Sequence, residues 1–414
     1  MTSPDRSEQP AGIDILRARK GVFTVFAVNG FLFAAWASRI ADAKAQLQLS
    51  TGALGVVLLG LSLGSVLGLP ASGRIVDRIG SAKAVGIGAA VMTLGEFGIG
   101  LAIDLMHSAI ATAISLVLTG LGMGLWEVSM NLQAAAVEQA AGRTIMPRFH
   151  AAFSAGTVLS AGVGAGMSFL GVPILTHLGL SALIGGGLTY WAIRSFITPA
   201  TELSDPGGAR VVISAWREPG TVLIGVFILV CAFTEGTAND WLSVAMVDGH
   251  GVPPWAGVLG LAVFLTMMTI GRIGGTVCLD RWGRLAVLRI LLSLGLAGSL
   301  LVVFGSTSVA YVGAGLWGLG VCLGFPVGIS AAADDPKRAP ARIAVVSTIA
   351  YTAFIAGPPL LGFLGQSEGI LRALLAVSFM LILAIFLLPV IKERQPASTD
   401  SGISVRPDRH PHQD

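Results

Sequence analysis

The sequence predicts an all-α membrane protein, with twelve transmembrane helices in two six-helix bundles and both termini cytoplasmic. Three observations predict it. First, of 414 residues 54% are hydrophobic and only 12% are charged, where a soluble domain carries about 25% charged residues. Second, long stretches contain no Asp, Glu, Lys or Arg, and twelve spans of about 20 residues need roughly 240 mostly apolar positions, close to what this composition supplies. Third, Gly73-Arg74-Ile75-Val76-Asp77-Arg78-Ile79-Gly80 is echoed by Leu279-Asp280-Arg281-Trp282-Gly283-Arg284, so Asp-Arg-x-Gly recurs 203 residues later. Gly120-Leu121-Gly122 and Gly318-Leu319-Gly320, 198 residues apart, are a second echo. Parallel halves of this kind enclose the midplane sites of secondary transporters.

Charge-free gaps mark the spans, because a charge at the centre of an inserted helix costs about 2.5 to 3.5 kcal/mol. Gly21 to Ser38 holds span 1, and Ala45 to Gly73 holds span 2. Span 3 lies between Lys83 and Asp104, interrupted by Glu96, and span 4 begins near Ala109 and carries Glu127. Phe149 to Ile193 is too long for one crossing, and Pro173 marks the bend between spans 5 and 6. Arg194 to Glu218 is polar and forms the hinge between halves. Span 7 runs from Pro219 to Trp241, and span 8 ends before Arg272. Spans 9 and 10 share Ile290 to Ala333, span 11 lies between Arg342 and Glu368, and span 12 precedes Lys392.

The expected organisation is therefore a cytoplasmic tail (1–20), an N-terminal bundle (21–193), a cytoplasmic linker (194–218), a C-terminal bundle (219–391) and a disordered cytoplasmic tail (392–414). Of the 26 Lys and Arg residues, this orientation leaves only Arg39, Lys44 and Arg372 outside, as the positive-inside rule requires. The polar first 20 residues show no cleavable signal peptide.

The paired Gly-x-x-x-Asp-Arg-x-Gly loop resembles the signature of the major facilitator superfamily, and the resemblance covers about 370 residues, from span 1 to span 12. The basic pair that follows the signature in that family is Ser81-Ala82 in this chain. Gly124-Leu125-Trp126-Glu127-Val128-Ser129-Met130-Asn131 resembles the span 4 pattern of the fucose-galactose-gluconate proton symporters, whose acid lies in the central cavity. Those symporters carry Asn-Asp late in span 1, where this chain reads Ser38-Arg39. The resemblance implies alternating access around a cavity lined by spans 1, 4, 7 and 10. It also implies gating by Asp77, Arg78, Asp280 and Arg281, with Asp77 meeting the N-terminus of span 11 when the cytoplasmic side is shut. A carboxylate at a helix N-terminus contributes about 0.3 to 2 kcal/mol, enough to bias a conformational balance.

Glu127 is the first candidate for proton coupling. Gly120, Gly124, Glu127 and Asn131 share one helix face, on which the small residues would leave room for substrate and Asn131 would hydrogen-bond the carboxyl group. Glu235 is the second candidate, with Asn239 one turn away on the same face; its alternative is an outer-gate ion pair with Arg39. Asn29, Phe33 and Trp36 form an amide-aromatic face suited to a sugar ring or to plain packing. Glu96 is expected to be structural or to snorkel, and His150 to make a hydrogen bond near a loop or to relay protons. Gly162-Val163-Gly164-Ala165-Gly166 reads as close helix packing, and Gly357-Pro358-Pro359 as a bend in span 11.

These features predict a transporter of a small, sugar-like solute, coupled to protons and embedded in the bacterial inner (plasma) membrane. A proton-driven drug or metabolite exporter is the alternative, and a non-transporting sensor or scaffold a remote one. An enzyme is not expected, since Walker A and HExxH motifs are missing from the sequence. Cys231, Cys278 and Cys322 sit in apolar runs, which gives neither a disulfide nor a metal framework. The expected partners are the solute, protons and the lipid bilayer, with no cofactor and no nucleic acid, and the expected state is a monomer.

Overall fold

The computed structural model describes residues 12–142, 145–197, 214–335 and 338–392; most of the expected tails and linker (1–11, 198–213 and 393–414) lies outside the described residues. The chain folds as α1 (Gly12–Ala37), α2 (Ile40–Gln46), α3 (Thr51–Ile79), α4 (Ser81–Asp104), α5 (Ala109–Ala141), α6 (Met146–Phe169) and α7 (Ile174–Ile193). It continues as α8 (Pro219–His250), α9 (Pro254–Phe304), α10 (Thr307–Val321), α11 (Gly324–Ala332), α12 (Ala339–Glu368), α13 (Ile370–Ala373), α14 (Leu375–Leu387) and a closing 3-10 turn, Leu388–Ile391. Among the described residues ten segments are long and apolar enough to cross a membrane, and there is no strand. Only helices and closed barrels satisfy their own backbone in lipid, so an all-helical chain is the physical consequence of this composition.

Helix ends follow local chemistry. Ser50 and Ser108 cap α3 and α5, their hydroxyls accepting from Ala53 N and Ala111 N at 3.2 Å. Gly142 and Gly251 close α5 and α8 in the left-handed conformation. Pro173 caps α7, at the bend expected between spans 5 and 6. Several boundaries differ from expectation: α1 begins at Gly12 rather than Gly21, and α3 continues past Gly73 to Ile79. The seventh span continues past Trp241 to His250. The eighth does not end before Arg272, because α9 runs through it to a break at Gly283, and Glu235 neutralises the charge inside the helix.

The internal repeat has a structural counterpart. Gly80 (φ 81, ψ 158) and Gly283 (φ 75, ψ 163), the last residues of the two Asp-Arg-x-Gly loops, adopt one conformation that side-chain-bearing residues rarely reach. The Gly-Leu-Gly echoes also do the same job. Gly120 packs on the Leu61 carbonyl of α3 and Gly122 on the Met92 amide of α4; Gly318 packs on the Phe264 carbonyl and Gly320 on the Gly295 amide of α9. In each half one glycine pair wedges a helix between its two neighbours, backbone against backbone. The Gly120 face is therefore filled by α3 and leaves no space for a substrate. Of the Gly162, Gly164 and Gly166 run, only Gly164 makes a close approach, to Ser38; the other two meet open space.

The two halves meet along α3 with α12 and α6 with α9. Gly55 and Gly362 approach so closely that a Cβ on Gly362 would lie 2.9 Å from Gly55 Cα. Among the described residues, both hydrogen bonds between the halves fall at this end: Lys44 Nζ donates to Asp248 Oδ2 at 2.7 Å, and Gly52 N donates to Gln366 Oε1 at 3.3 Å. Phe169 and Trp255 add an edge-to-face contact there, with centroids 5.4 Å apart. This face is closed, and the opposite face carries Gly80 and Gly283.

Gly120→Val and Gly318→Val are each expected to destabilise the protein by about 1 to 3 kcal/mol, the usual cost of overpacking. Gly166→Val, in open space, is expected to be near neutral. Thermal unfolding of the three variants in one detergent checks the contrast.

Candidate functional site

Midway along α5, Glu127 lies on the side of the helix that stays partly accessible, together with Val128 and Asn131, while Trp126, Ser129 and Met130 turn into packing. Among the described residues its carboxylate has neither a hydrogen bond nor an ion pair. Asn131 does not supply one: its Nδ2 donates to the main-chain carbonyl of Glu127 at 2.8 Å, the local back-bonding open to a short amide in a helix. Across the interface, Tyr351 of α12 lies close enough to interact electrostatically with Glu127. The acid thus faces the boundary between the halves rather than lipid.

Glu235 is in a different situation. Arg272 Nη2 donates to both of its oxygens, at 2.8 and 3.0 Å, while Arg272 Nε donates to the Cys322 carbonyl at 3.2 Å. That carbonyl is available because the helix breaks between α10 and α11, next to Gly324 and Pro326. One guanidinium therefore pins α8, α9 and the α10–α11 break together. The partner expected for Glu235, Arg39, is elsewhere: it pairs with Asp42 at 3.0 Å and donates to the Val172 carbonyl at 2.7 Å. Arg39 is engaged within the first half by its own short turn.

His150 at the start of α6 sets its ring edge against Phe26, with centroids 5.3 Å apart, and lies within electrostatic reach of Arg272. Asp240, one residue beyond Asn239 in α8, is partly accessible and has no partner among the described residues. Phe354, whose ring lies 6.3 Å from that of Tyr351, covers Gly236 of α8. Glu127 and Tyr351, and Arg272 with His150, thus face each other across the boundary between the halves.

Other expected site residues are placed differently. Asn29 and Trp36 are fully packed, and only Phe33 of that face stays partly accessible; Asn239 is buried. Glu96 does not snorkel: it is 0% exposed on the core side of α4 with Met92 and Ile99, which leaves no path to an interface. Among the described residues Asp77, Arg78 and Asp280 have no polar partner, and Arg281 lies over its neighbour Trp282 at 5.8 Å. The polar contact of the second loop is made by Arg284, which donates to both oxygens of Asp334 at 2.9 Å and to Ser330 Oγ at 3.1 Å.

Sequence reasoning missed Arg272, Tyr351, Asp240 and Arg284. Arg272 carried a signal, since a lone cation inside an apolar run needs a partner or a task. Tyr351 carried none.

The model of the family described as Major Facilitator Superfamily matches residues 21–335. An uncharacterized MFS-type transporter of Yersinia pestis is 31% identical over 367 residues, spanning 86% of this chain and 91% of that protein. The fold is similar to those of a D-xylose-proton symporter (TM-score 0.72, 13% identity, covering 92% of this chain and 98% of that one) and the E. coli fucose:proton symporter (TM-score 0.62, 15% identity, 90% and 98%).

Removing one partner of a fully buried ion pair costs about 3 to 5 kcal/mol. Here the side chains keep 29% and 21% exposure, so Arg272→Met is expected to cost about 1 to 3 kcal/mol after allowing for that screening. The double variant Glu235→Met with Arg272→Met is expected to recover most of it. Chemical denaturation of both variants measures the difference.

Proposed function

The chain belongs to the Major Facilitator Superfamily, and on that premise we propose that it is a proton-coupled secondary transporter of a small, sugar-like solute. The observation that carries the reading is Glu127: a carboxylate halfway along a membrane helix, without a counter-charge, on the boundary between two halves that must move. A permanently paired acid cannot exchange its proton, which sets Glu127 apart from Glu235. The solute class is supported by the fold's similarity to fucose and xylose symporters and by the mixed amide, phenol and aromatic surface near Glu127.

The reading takes twelve crossings in two bundles of six, 21–193 and 219–391. The 51-residue α9 makes two of them, divided at Gly283; at 1.5 Å per residue it is about twice the length a bilayer needs. The 20-residue α7 makes another, its hydropathy diluted by three consecutive glycines and His177. The Gly80 and Gly283 face is cytoplasmic, by the distribution of Lys and Arg, in a bacterial inner membrane. The fold is then closed to the outside, with Lys44–Asp248 as part of the outer latch and Asp77 unengaged because the cytoplasmic side is open.

Binding of a proton to Glu127 removes a charge that otherwise has to cross between environments as the bundles rock. Each proton moving inward supplies about 2.3 kcal/mol per 100 mV, enough for roughly a fifty-fold solute gradient at about 1.4 kcal/mol per decade. A scaffold without flux has no use for an unpaired intramembrane acid.

A thermal-shift screen over pentoses, hexoses and sugar acids selects the solute, since a ligand stabilises only the folded state that binds it. In vesicles, Glu127→Gln is then expected to keep exchange of labelled for unlabelled solute while losing proton-driven accumulation. Accumulation at the wild-type level would remove Glu127 from the coupling role.

A further inference from the structure

Away from the boundary between the halves, on the face that carries Gly80 and Gly283, a cavity of about 430 Å³ opens where α8 begins, α12 begins and the closing turn ends. Four of its wall residues are cationic, Arg217, Arg338, Arg342 and Lys392, and two are carboxylates, Glu218 and Asp334. Both carboxylates are committed. Glu218 is shared by two guanidinium groups: Arg342 Nε donates to its Oε2 at 2.9 Å, Arg338 pairs with its Oε1, and Thr221 Oγ1 donates to Oε2 at 2.9 Å. Burial pushes the Glu218 carboxyl up, but Thr221 and the two arginines outweigh it and hold it below its ordinary value, so it stays charged and engaged. Asp334 is held by Arg284, whose Nη1 donates to both of its oxygens at 2.9 Å.

Arg217 and Lys392 are exposed and have no partner among the described residues. The wall therefore carries a surplus of positive charge that the protein does not neutralise, in a concave site large enough for a small ligand. Its surroundings place it at the level where the helices leave the apolar layer. Trp216, next to Arg217, is 45% exposed, as indoles are at a membrane interface. Lys392 directly follows the apolar turn Leu388–Ile391.

We propose that this cavity binds a phosphate-bearing anion, supplied by the headgroup of an acidic phospholipid. The two arginines that share one carboxylate and the two unpartnered cations converge on one volume, and the phosphodiester offers them the acceptor oxygens that Glu218 alone cannot. Basic pockets between helix ends on the cytoplasmic side take acidic headgroups by this chemistry. Occupancy would tie the start of α8, the helix of Glu235 and Asp240, to the start of α12, the helix of Tyr351. The inference requires only that the chain is embedded in a membrane, and it holds or fails independently of proton coupling.

The test uses the full chain in nanodiscs of phosphatidylcholine with and without phosphatidylglycerol, and in phosphatidylcholine with inorganic phosphate. Retained lipid is counted by native mass spectrometry and stability by thermal unfolding. Phosphatidylglycerol is expected to be retained and to raise the unfolding temperature of the wild type. Arg217→Gln with Lys392→Gln is expected to bind it about thirtyfold less tightly, from about 1 kcal/mol per basic residue near an anionic surface at about 1.4 kcal/mol per decade. Unfolding in pure phosphatidylcholine is expected to be unchanged by these substitutions, since neither side chain has a partner to lose. Arg74→Gln with Lys83→Gln, exposed on the same face, is expected to keep wild-type affinity. An equal loss in both double variants would reduce the effect to surface charge and overturn the proposal. Stabilisation by inorganic phosphate with no gain from phosphatidylglycerol would overturn the lipid assignment.

Discussion

A bilayer offers no hydrogen bonds, so any polar group carried into it has to be satisfied by the protein or exposed to a cavity. That constraint organises this structure. Backbone groups are consumed in helices, and the cation inside α9, Arg272, is consumed by Glu235 and by a carbonyl freed at the α10–α11 break. Asp42, near the closed face, is matched by Arg39. Against this background the acids without a counter-charge among the described residues stand out: Glu96, sealed in the packing of α4 with neither carboxylate oxygen bonded, Asp240 on α8, and Glu127. Glu127 keeps its carboxylate at the boundary between the halves, where a change in the arrangement of the helices changes what surrounds it.

The repeat explains how such a boundary is built. Each half uses a Gly-Leu-Gly pair to press one helix between two others, and a glycine of positive φ to turn the chain after the Asp-Arg sequence. Contacts of backbone on backbone make each half stiff, since a glycine wedge has no rotamers to rearrange. The connections between halves differ in kind: a glycine crossing of α3 and α12, packing of α6 on α9, and, near a single face, one ion pair, one hydrogen bond and one aromatic contact. Stiff halves whose polar and aromatic links gather at one face are suited to rocking. The chemistry is not duplicated, because Glu127 belongs to the first half, and the position that corresponds to it in the second is Phe325.

Most span boundaries were legible in the sequence because charges avoid the apolar layer, and the repeat was legible because the same turn needs the same glycine. Boundaries were hidden where charge was compensated. Arg272 appeared to end a helix that it in fact occupies, because its partner Glu235 lies 37 residues away in sequence. Helical spacing placed Gly120 and Glu127 on one face but did not reveal that α3 fills the Gly120 end of it. Asn131 was within reach of the carboxyl by spacing, yet the main-chain carbonyl one turn back was the nearer acceptor. Tyr351 reaches Glu127, and His150 reaches Arg272, across the boundary between the halves, which no local pattern encodes.

The central claim is that Glu127 carries a proton with the solute. The most direct measurement is the internal pH of sealed proteoliposomes, read with a trapped dye at the moment the screened solute is added outside. The interior is expected to acidify, in a way that requires the glutamate and scales with solute entry. Solute entry with no change in internal pH would contradict it.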